Sequence, residues 1–139
     1  METITKELQY QQYVSYSDVD SMGVVHHSKY MVYFENARFH LVKDLLEIGK
    51  KEFLDMKIDF PVISLECNYL KSIKFQEEII IIIQLSFAPK IPKLEFNYLI
   101  VNDKSETFAK AKTVHLLTRE GSPLIGYPEK LKYKLYNCL

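Results

Sequence analysis

Leu8, Tyr10, Val14 and Tyr16 put apolar side chains on alternate positions, with Gln9, Gln11 and Ser15 between them, a period that predicts a half-buried strand over 8–16. From Tyr30 the period changes. Tyr30, Tyr33, Phe34, Ala37, Leu41, Leu45 and Ile48 follow helical spacing over about five turns, and Gly49 supplies a stop. Met31, Val32, Phe39 and Val42 lie off that stripe, so apolar groups cover much of the helix circumference and the helix is expected to be enclosed. The short KKEFLDM segment reads as helical. Beyond it, residues 61–72, 77–88, 93–102 and 105–118 are rich in β-branched and aromatic side chains. They are separated by turn material such as Ala88-Pro89-Lys90 and Asn102-Asp103-Lys104, and they predict four strands paired as an antiparallel meander. Ile79–Ile83 reads as a buried central strand, with Glu77 and Glu78 as charged guards against aggregation.

Strand, long helix and four strands define an α+β chain in which one curved five-stranded antiparallel sheet wraps around one long central helix. No repeat, low-complexity tract or linker interrupts residues 1–139, which are expected to form a single domain. A curved open sheet leaves an edge, which favours pairing of two subunits, as a homodimer or homotetramer, with a site at their interface.

Charge narrows the function classes. Eighteen basic residues balance eighteen acidic ones, so no overall field recruits nucleic acid or an anionic membrane surface. METITKELQY has no apolar core of signal-peptide length, no run approaches a membrane span, and Cys67 and Cys138 lack zinc-site or C-x-x-C spacing. A cytoplasmic protein with free thiols is expected. No G-x-S-x-G, glycine-rich phosphate loop or dinucleotide fingerprint is present, and no cofactor is called for.

The densest chemistry lies between Asp18 and Arg38, where an acidic loop runs into the long helix with His26 and His27 at the junction. A helix start exposes unsatisfied N–H groups and the positive end of the macrodipole, a ready site for developing negative charge. Asp20 is either a carboxylate that attacks or activates water, or a loop residue bonded to nearby amides. Asp18-x-Asp20 also opens like a calcium loop, but Met22 stands where an oxygen ligand is needed and Lys29 where a bidentate Glu belongs. Adjacent histidines cannot make the i, i+4 zinc pair, so no metal is expected. Gly23 permits close backbone approach to a ligand, Val24 and Val25 bury the loop beside the helix, and Ser28 is read as the N-cap. Glu35 and Arg38 read as a helix-surface pair. Lys90 and Lys93, flanking Pro92, are candidate contacts for nucleotide phosphates, against the commoner role of solvated lysines.

Tyr16 to Arg38, YSDVDSMGVVHHSKYMVYFENAR, resembles the signature of hotdog-fold acyl-CoA thioesterases of the 4-hydroxybenzoyl-CoA thioesterase type, D-x-D-x-x-G-V-V-x-H-x-x-Y-x-x-F/Y-F/Y-E-x-A-R. The resemblance continues through Asn68-Tyr69-Leu70-Lys71, similar to the family's tyrosine-containing second strand, and through AKTVHLLTREGSPLIGYPEKL. It implies the hotdog fold, hydrolysis of an acyl-CoA (or an acyl carrier protein thioester), and a catalytic carboxylate at Asp20. It places the oxyanion contact on the His27 backbone N–H and implicates Tyr16 and the His27 side chain. Gly23, Val24, Val25 and Tyr30 fall within the same stretch as substrate-binding candidates. Met22 where the family has a small residue, Ser72 where it often has Pro, and Gln76-Glu77 in place of Gly-Asp are departures, and Met22 stands nearest the chemistry. Two other readings use the same fold. One is a β-hydroxyacyl thioester dehydratase or hydratase with His27 and a carboxylate as acid and base, and the other is a non-catalytic acyl-thioester binding protein.

Overall fold

In the computed structural model, which describes residues 1–139, the first strand lane is made of two pieces, β1 (Glu2–Thr3) and β2 (Leu8–Tyr13). A 3-10 turn at Tyr16–Asp18 and the acidic loop lead to α1 (His27–Leu45) and then to α2 (Lys50–Met56). Next come β3 (Val62–Tyr69), β4 (Glu78–Phe87), β5 (Lys93–Val101) and β6 (Thr107–Leu116). A two-stranded hairpin, β7 (Thr118–Arg119) and β8 (Ser122–Pro123), and the helix α3 (Glu129–Asn137) complete the chain. Strands β1 to β6 form one antiparallel sheet in which β1 and β2 share one side of β4, β5 and β6 follow, and β3 is the far edge.

Two expectations change here. The four later strands do not pair as a simple meander: β4, β5 and β6 do, but β3 crosses the sheet and joins β6. Segment 70–77 makes that crossing beneath the acidic loop, where Val24 bridges Lys74 and the Ile73 carbonyl accepts from the Val25 N–H. The sheet also has six strand segments instead of five, because the chain breaks at Ile4–Glu7 and Glu2–Thr3 add a second contact to β4.

The alternation along β4 decides where the core lies. Ile79, Ile81, Ile83, Leu85 and Phe87 are buried, whereas Ile80 and Ile82 on the other face are only partly covered, so the isoleucine run is a one-faced strand and not one buried on both sides. The register carries that face across the sheet in rows. Ile81 pairs with Ile100 and then Ala109, Ile83 with Tyr98 and Ala111, and Leu85 with Phe96 and Thr113. Small residues on β6 leave room for α1, whose Tyr30, Tyr33, Phe34, Ala37, Leu41 and Val42 are buried against these rows. The Phe34 ring lies 4.6 Å from Tyr98.

Enclosure of α1 is incomplete. Val32 and Phe39, off the main stripe, remain 49% and 48% exposed. The β3 edge is barer still: of its eight residues only Cys67 is even partly buried, and Val62, Ile63 and Leu65 stand open. The sequence pattern also leaves α3 unmarked. Leu131 and Leu135, one helical turn apart, bury its inner face, and Tyr136 meets Phe87 edge-on at 5.2 Å.

Candidate active site

Residues 18–26 form a tight, pinned loop. Val19 bridges Val25, so Asp18 comes opposite His26 and Asp20 opposite Val24. The His26 N–H donates to the Asp18 carbonyl and the Asp20 N–H to the Val24 carbonyl. Gly23 sits at φ +77°, where an L side chain is strained, and its N–H closes the turn on the Asp20 carbonyl. Its own carbonyl takes the Phe75 N–H, which ties the loop to the β3–β4 crossing.

The two aspartates have different jobs within this frame. Asp18 is half-buried and accepts the Tyr33 hydroxyl at 2.6 Å and the Ser15 N–H at 3.1 Å, so it fastens the loop to α1. Burial and the bond to Asp18 hold the Tyr33 phenol well above its ordinary range. Asp20 is exposed. Its Oδ1 accepts from the Met22 N–H at 2.8 Å and, longer, from the Val24 N–H at 3.4 Å, which orients the carboxylate and leaves Oδ2 without a partner in the chain.

The helix begins at His27, and its cap is His26, not Ser28. His26 Nδ1 accepts the Ser28 N–H at 3.2 Å, and the Ser28 hydroxyl lies 2.8 Å from the same nitrogen. An imidazole ring thus does the work usually done by a short hydroxyl side chain. The His27 N–H makes no backbone hydrogen bond, as expected for the first residue of a helix. It lies at the positive end of a 19-residue helix.

Beside this helix start lies a cavity of about 310 Å³ lined by Val25, His27, Tyr30, Tyr69, Leu70, Lys71 and Ser72. Tyr30 and Tyr69 meet edge-on at 4.8 Å. Burial, with smaller effects from Cys67, Tyr69 and Glu77, raises the Tyr30 hydroxyl to about 12, so it stays a protonated hydrogen-bond donor at neutral pH. Lys71 leans out to pair with Glu106.

The structure therefore gathers Val25, His27 and Tyr30 on one cavity and carries Gly23, Val24 and Asp20 on the loop next to it. Tyr16 does not line that cavity; it is 79% exposed and packs edge-on against Phe75 at 5.6 Å. Lys90 and Lys93 stand at the other end of the sheet. Lys93 stands seven positions along the strand from Ile100, the residue in the same row as Tyr69 and Ala109, which is about 23 Å of strand. Tyr69 and Lys71, part of a segment whose sequence resembles the family's second strand, are wall residues that the loop motif alone does not mark.

Arg38 is the plain correction on α1. It makes no surface pair with Glu35 but turns inward, 7% exposed, and donates from Nη1 to the Tyr98 hydroxyl at 3.2 Å. Tyr98 then meets Thr113 at 2.7 Å, Thr113 meets His115 Nε2 at 2.9 Å, and His115 Nδ1 lies 2.7 Å from the Phe60 carbonyl. Burial pushes His115 down to about 4, so this buried chain contains a neutral imidazole.

The thioesterase superfamily model matches residues 22–88, which include the cavity residues and the β3 edge. A Bacillus subtilis relative, YneP, whose name proposes an acyl-CoA thioesterase, is 29% identical over 107 residues, 74% of this chain and 73% of its own. A hypothetical protein of Thermus thermophilus superposes with a TM-score of 0.86 at 27% identity, covering 96% of this chain and 98% of that one. The DHNA-CoA thioesterase of Staphylococcus aureus superposes with a TM-score of 0.78 at 25% identity, over 86% of this chain and 80% of that one. With the matched model running from Met22 in the loop through α1 and the β3 edge, and the sheet wrapped on one helix as in these structures, the chain has the hotdog fold, is similar to the thioesterase superfamily over residues 22–88 and is a thioester hydrolase.

Proposed function

We propose that the chain hydrolyses acyl-CoA thioesters to a carboxylic acid and CoA, with Asp20 as the essential carboxylate and the His27 N–H as the oxyanion contact. The observation that carries this reading is the pairing of an exposed, amide-oriented Asp20 with a free N–H at the start of a long helix, beside a cavity. A thioester carbonyl resting on that N–H is polarised by the donor and by the helix dipole, so charge developing on oxygen is stabilised without reorganisation. The free Oδ2 of Asp20 then serves either as a nucleophile, forming a mixed anhydride that water opens, or as a base that takes a proton from the attacking water. The leaving thiolate of CoA needs little acid assistance, so one carboxylate suffices. Tyr30 stays protonated and supplies a neutral donor in the cavity wall.

The same reading makes the working unit a homodimer or homotetramer, with the bare β3 edge joined to a second copy and the cavity walled by Tyr69 at the junction. It also puts the enzyme in the cytoplasm, where Cys67 and Cys138 remain free thiols. Thiol release over a panel of short, long and aromatic acyl-CoA substrates tests it. Saturable release from at least one substrate is expected, whereas hydration of an enoyl-CoA with no thiol release would replace it with the hydratase reading. Saturable acyl-CoA binding with no turnover anywhere in the panel would reduce the chain to a binding protein.

A further inference from the structure

The cap of α1 fixes the protonation of the ring that forms it. A backbone N–H can only donate, so the Ser28 N–H, 3.2 Å from His26 Nδ1, requires a lone pair on that nitrogen and puts the ring proton on Nε2. The Ser28 hydroxyl, 2.8 Å from the same atom, must then donate as well. With this bond made, the amides on either side of His27 are taken: the His26 N–H goes to the Asp18 carbonyl, the Ser28 N–H to the ring and the Lys29 N–H to the His26 carbonyl. The His27 N–H is the one left over.

A second proton on the ring undoes the cap without breaking every contact in it. A protonated Nδ1 can donate to the Ser28 hydroxyl oxygen, which turns to accept, but it offers nothing to the Ser28 N–H. That amide loses its partner, and the first turn loses the bond that holds it. No other charged group is bonded to the ring to resist the change. On the loop, Asp18 is engaged by Tyr33 and Ser15, and Asp20 by Met22 and Val24. On α1, the His27 ring lies 4.2 Å from that of His26, and Lys29 follows it. On the 70–77 crossing, Lys71 pairs with Glu106, and Glu77 accepts the Lys74 N–H. None of these makes an ion pair or a hydrogen bond with the His26 ring. The charge the ring gains is exposed and screened, whereas a displaced N–H is lost to the oxyanion directly, so the change in geometry outweighs the change in field.

Resting on the reading that puts the oxyanion on the His27 N–H, we propose that His26 is a positioning residue for hydrolysis. Its unprotonated Nδ1 holds the first turn of α1 so that the His27 amide is fixed toward the thioester carbonyl, and protonating the ring frees that turn and slows the reaction. The site thus has an acid-sensitive latch separate from its carboxylate.

NMR of the 15N-labelled protein and kinetics on the best acyl-CoA of the panel, each followed from pH 8 to pH 5, test the assignment. At pH 8 His26 is expected to carry its ring proton on Nε2 and none on Nδ1. Acidification should move the Ser28 amide proton upfield, the direction of a lost hydrogen bond, and His26→Asn, whose side-chain oxygen caps but takes no proton, should remove most of that movement. At pH 8 His26→Ala should lower kcat by roughly tenfold with little change in KM, and His26→Asn should recover most of that loss. His26→Asn should also lose less of its kcat on acidification than the unchanged chain does. Asp20, His27 and His115 are present in all three chains, so their own titrations cancel in the comparison. A proton on His26 Nδ1, a Ser28 amide that moves as far in His26→Asn, the same acid loss in that variant, or full activity in His26→Ala would overturn the proposal. If His26→Ala does not fold, the pH comparison between the unchanged chain and His26→Asn decides it. No turnover of any acyl-CoA by the unchanged chain removes the hydrolytic reading and this proposal with it, whereas turnover with any of the contrary results removes the proposal alone.

Discussion

The start and the middle of α1 solve opposite electrostatic problems. At its start, a carboxylate stands exposed in a pinned loop next to a helix N–H that no group in the chain uses. Halfway along, a guanidinium is buried with one neutral partner and one empty nitrogen. Asp20 keeps its solvation, and holding it ready costs only a Gly23 turn and two amide bonds. Arg38 has given up most of its solvation for a chain of neutral hydrogen bonds through Tyr98, Thr113 and His115. The difference teaches where each kind of group depends on its surroundings. The loop's geometry is set by bonds within the chain, whereas the buried guanidinium keeps a nitrogen for which the chain supplies no acceptor.

The most drastic way to break the contrast is to remove the assembly that the loop side depends on in the proposed function. Ile63→Glu together with Leu65→Lys on the bare β3 edge should leave the fold of the subunit intact, shift gel-filtration mass to that of one chain, and bring thiol release close to background. A smaller, pH-linked effect belongs to the Arg38 side. His115 is held at about 4 in the folded chain against an ordinary value near 6.5, so the unfolded chain binds more protons between those values. Stability is therefore complete above about 6.5 and falls as the pH drops toward 4. Thermal melting between pH 7 and pH 4.5 should show that slope, and His115→Gln should flatten it while lowering the melting temperature at pH 7, because two buried hydrogen bonds are disturbed. The smallest effect is expected for His27→Ala. In the proposed mechanism its contribution comes from the backbone N–H, which alanine retains, so kcat/KM should fall by less than about tenfold, far short of the 10²–10⁴-fold range typical of a lost acid or base.

The same contrast explains what could be read before the structure. The loop was legible because its chemistry is local: Asp20, Gly23 and His27 lie within eight residues, and turn and helix-start physics fix their relation without distant partners. The helix and the sheet strands were legible from period, since 3.6 and 2 are written directly in the apolar positions. Arg38 was not, although the stripe itself pointed to it. It is four residues after Phe34 and three before Leu41, so periodicity puts it inside while its charge argues for outside, and only the distant Tyr98 and Thr113 reconcile the two. The β3 crossing was hidden for a related reason, because pairing with β6 is set by the packing of α1 and the 70–77 segment and not by strand composition. Helix α3 escaped because two leucines at i, i+4 after Pro128 are a weak signal beside a strand-rich run.

Thiol release by Asp20→Asn, compared with the unchanged chain on the best acyl-CoA of the panel, tests the central claim most directly. Circular dichroism and gel filtration would verify that fold and assembly are preserved. The account predicts kcat lower by about 10²–10⁴-fold with little change in KM, because the amide keeps the loop's hydrogen bonds to Met22 and Val24 but cannot act as nucleophile or base. Activity within a few-fold of the unchanged chain would contradict it and return Asp20 to the role of a loop residue.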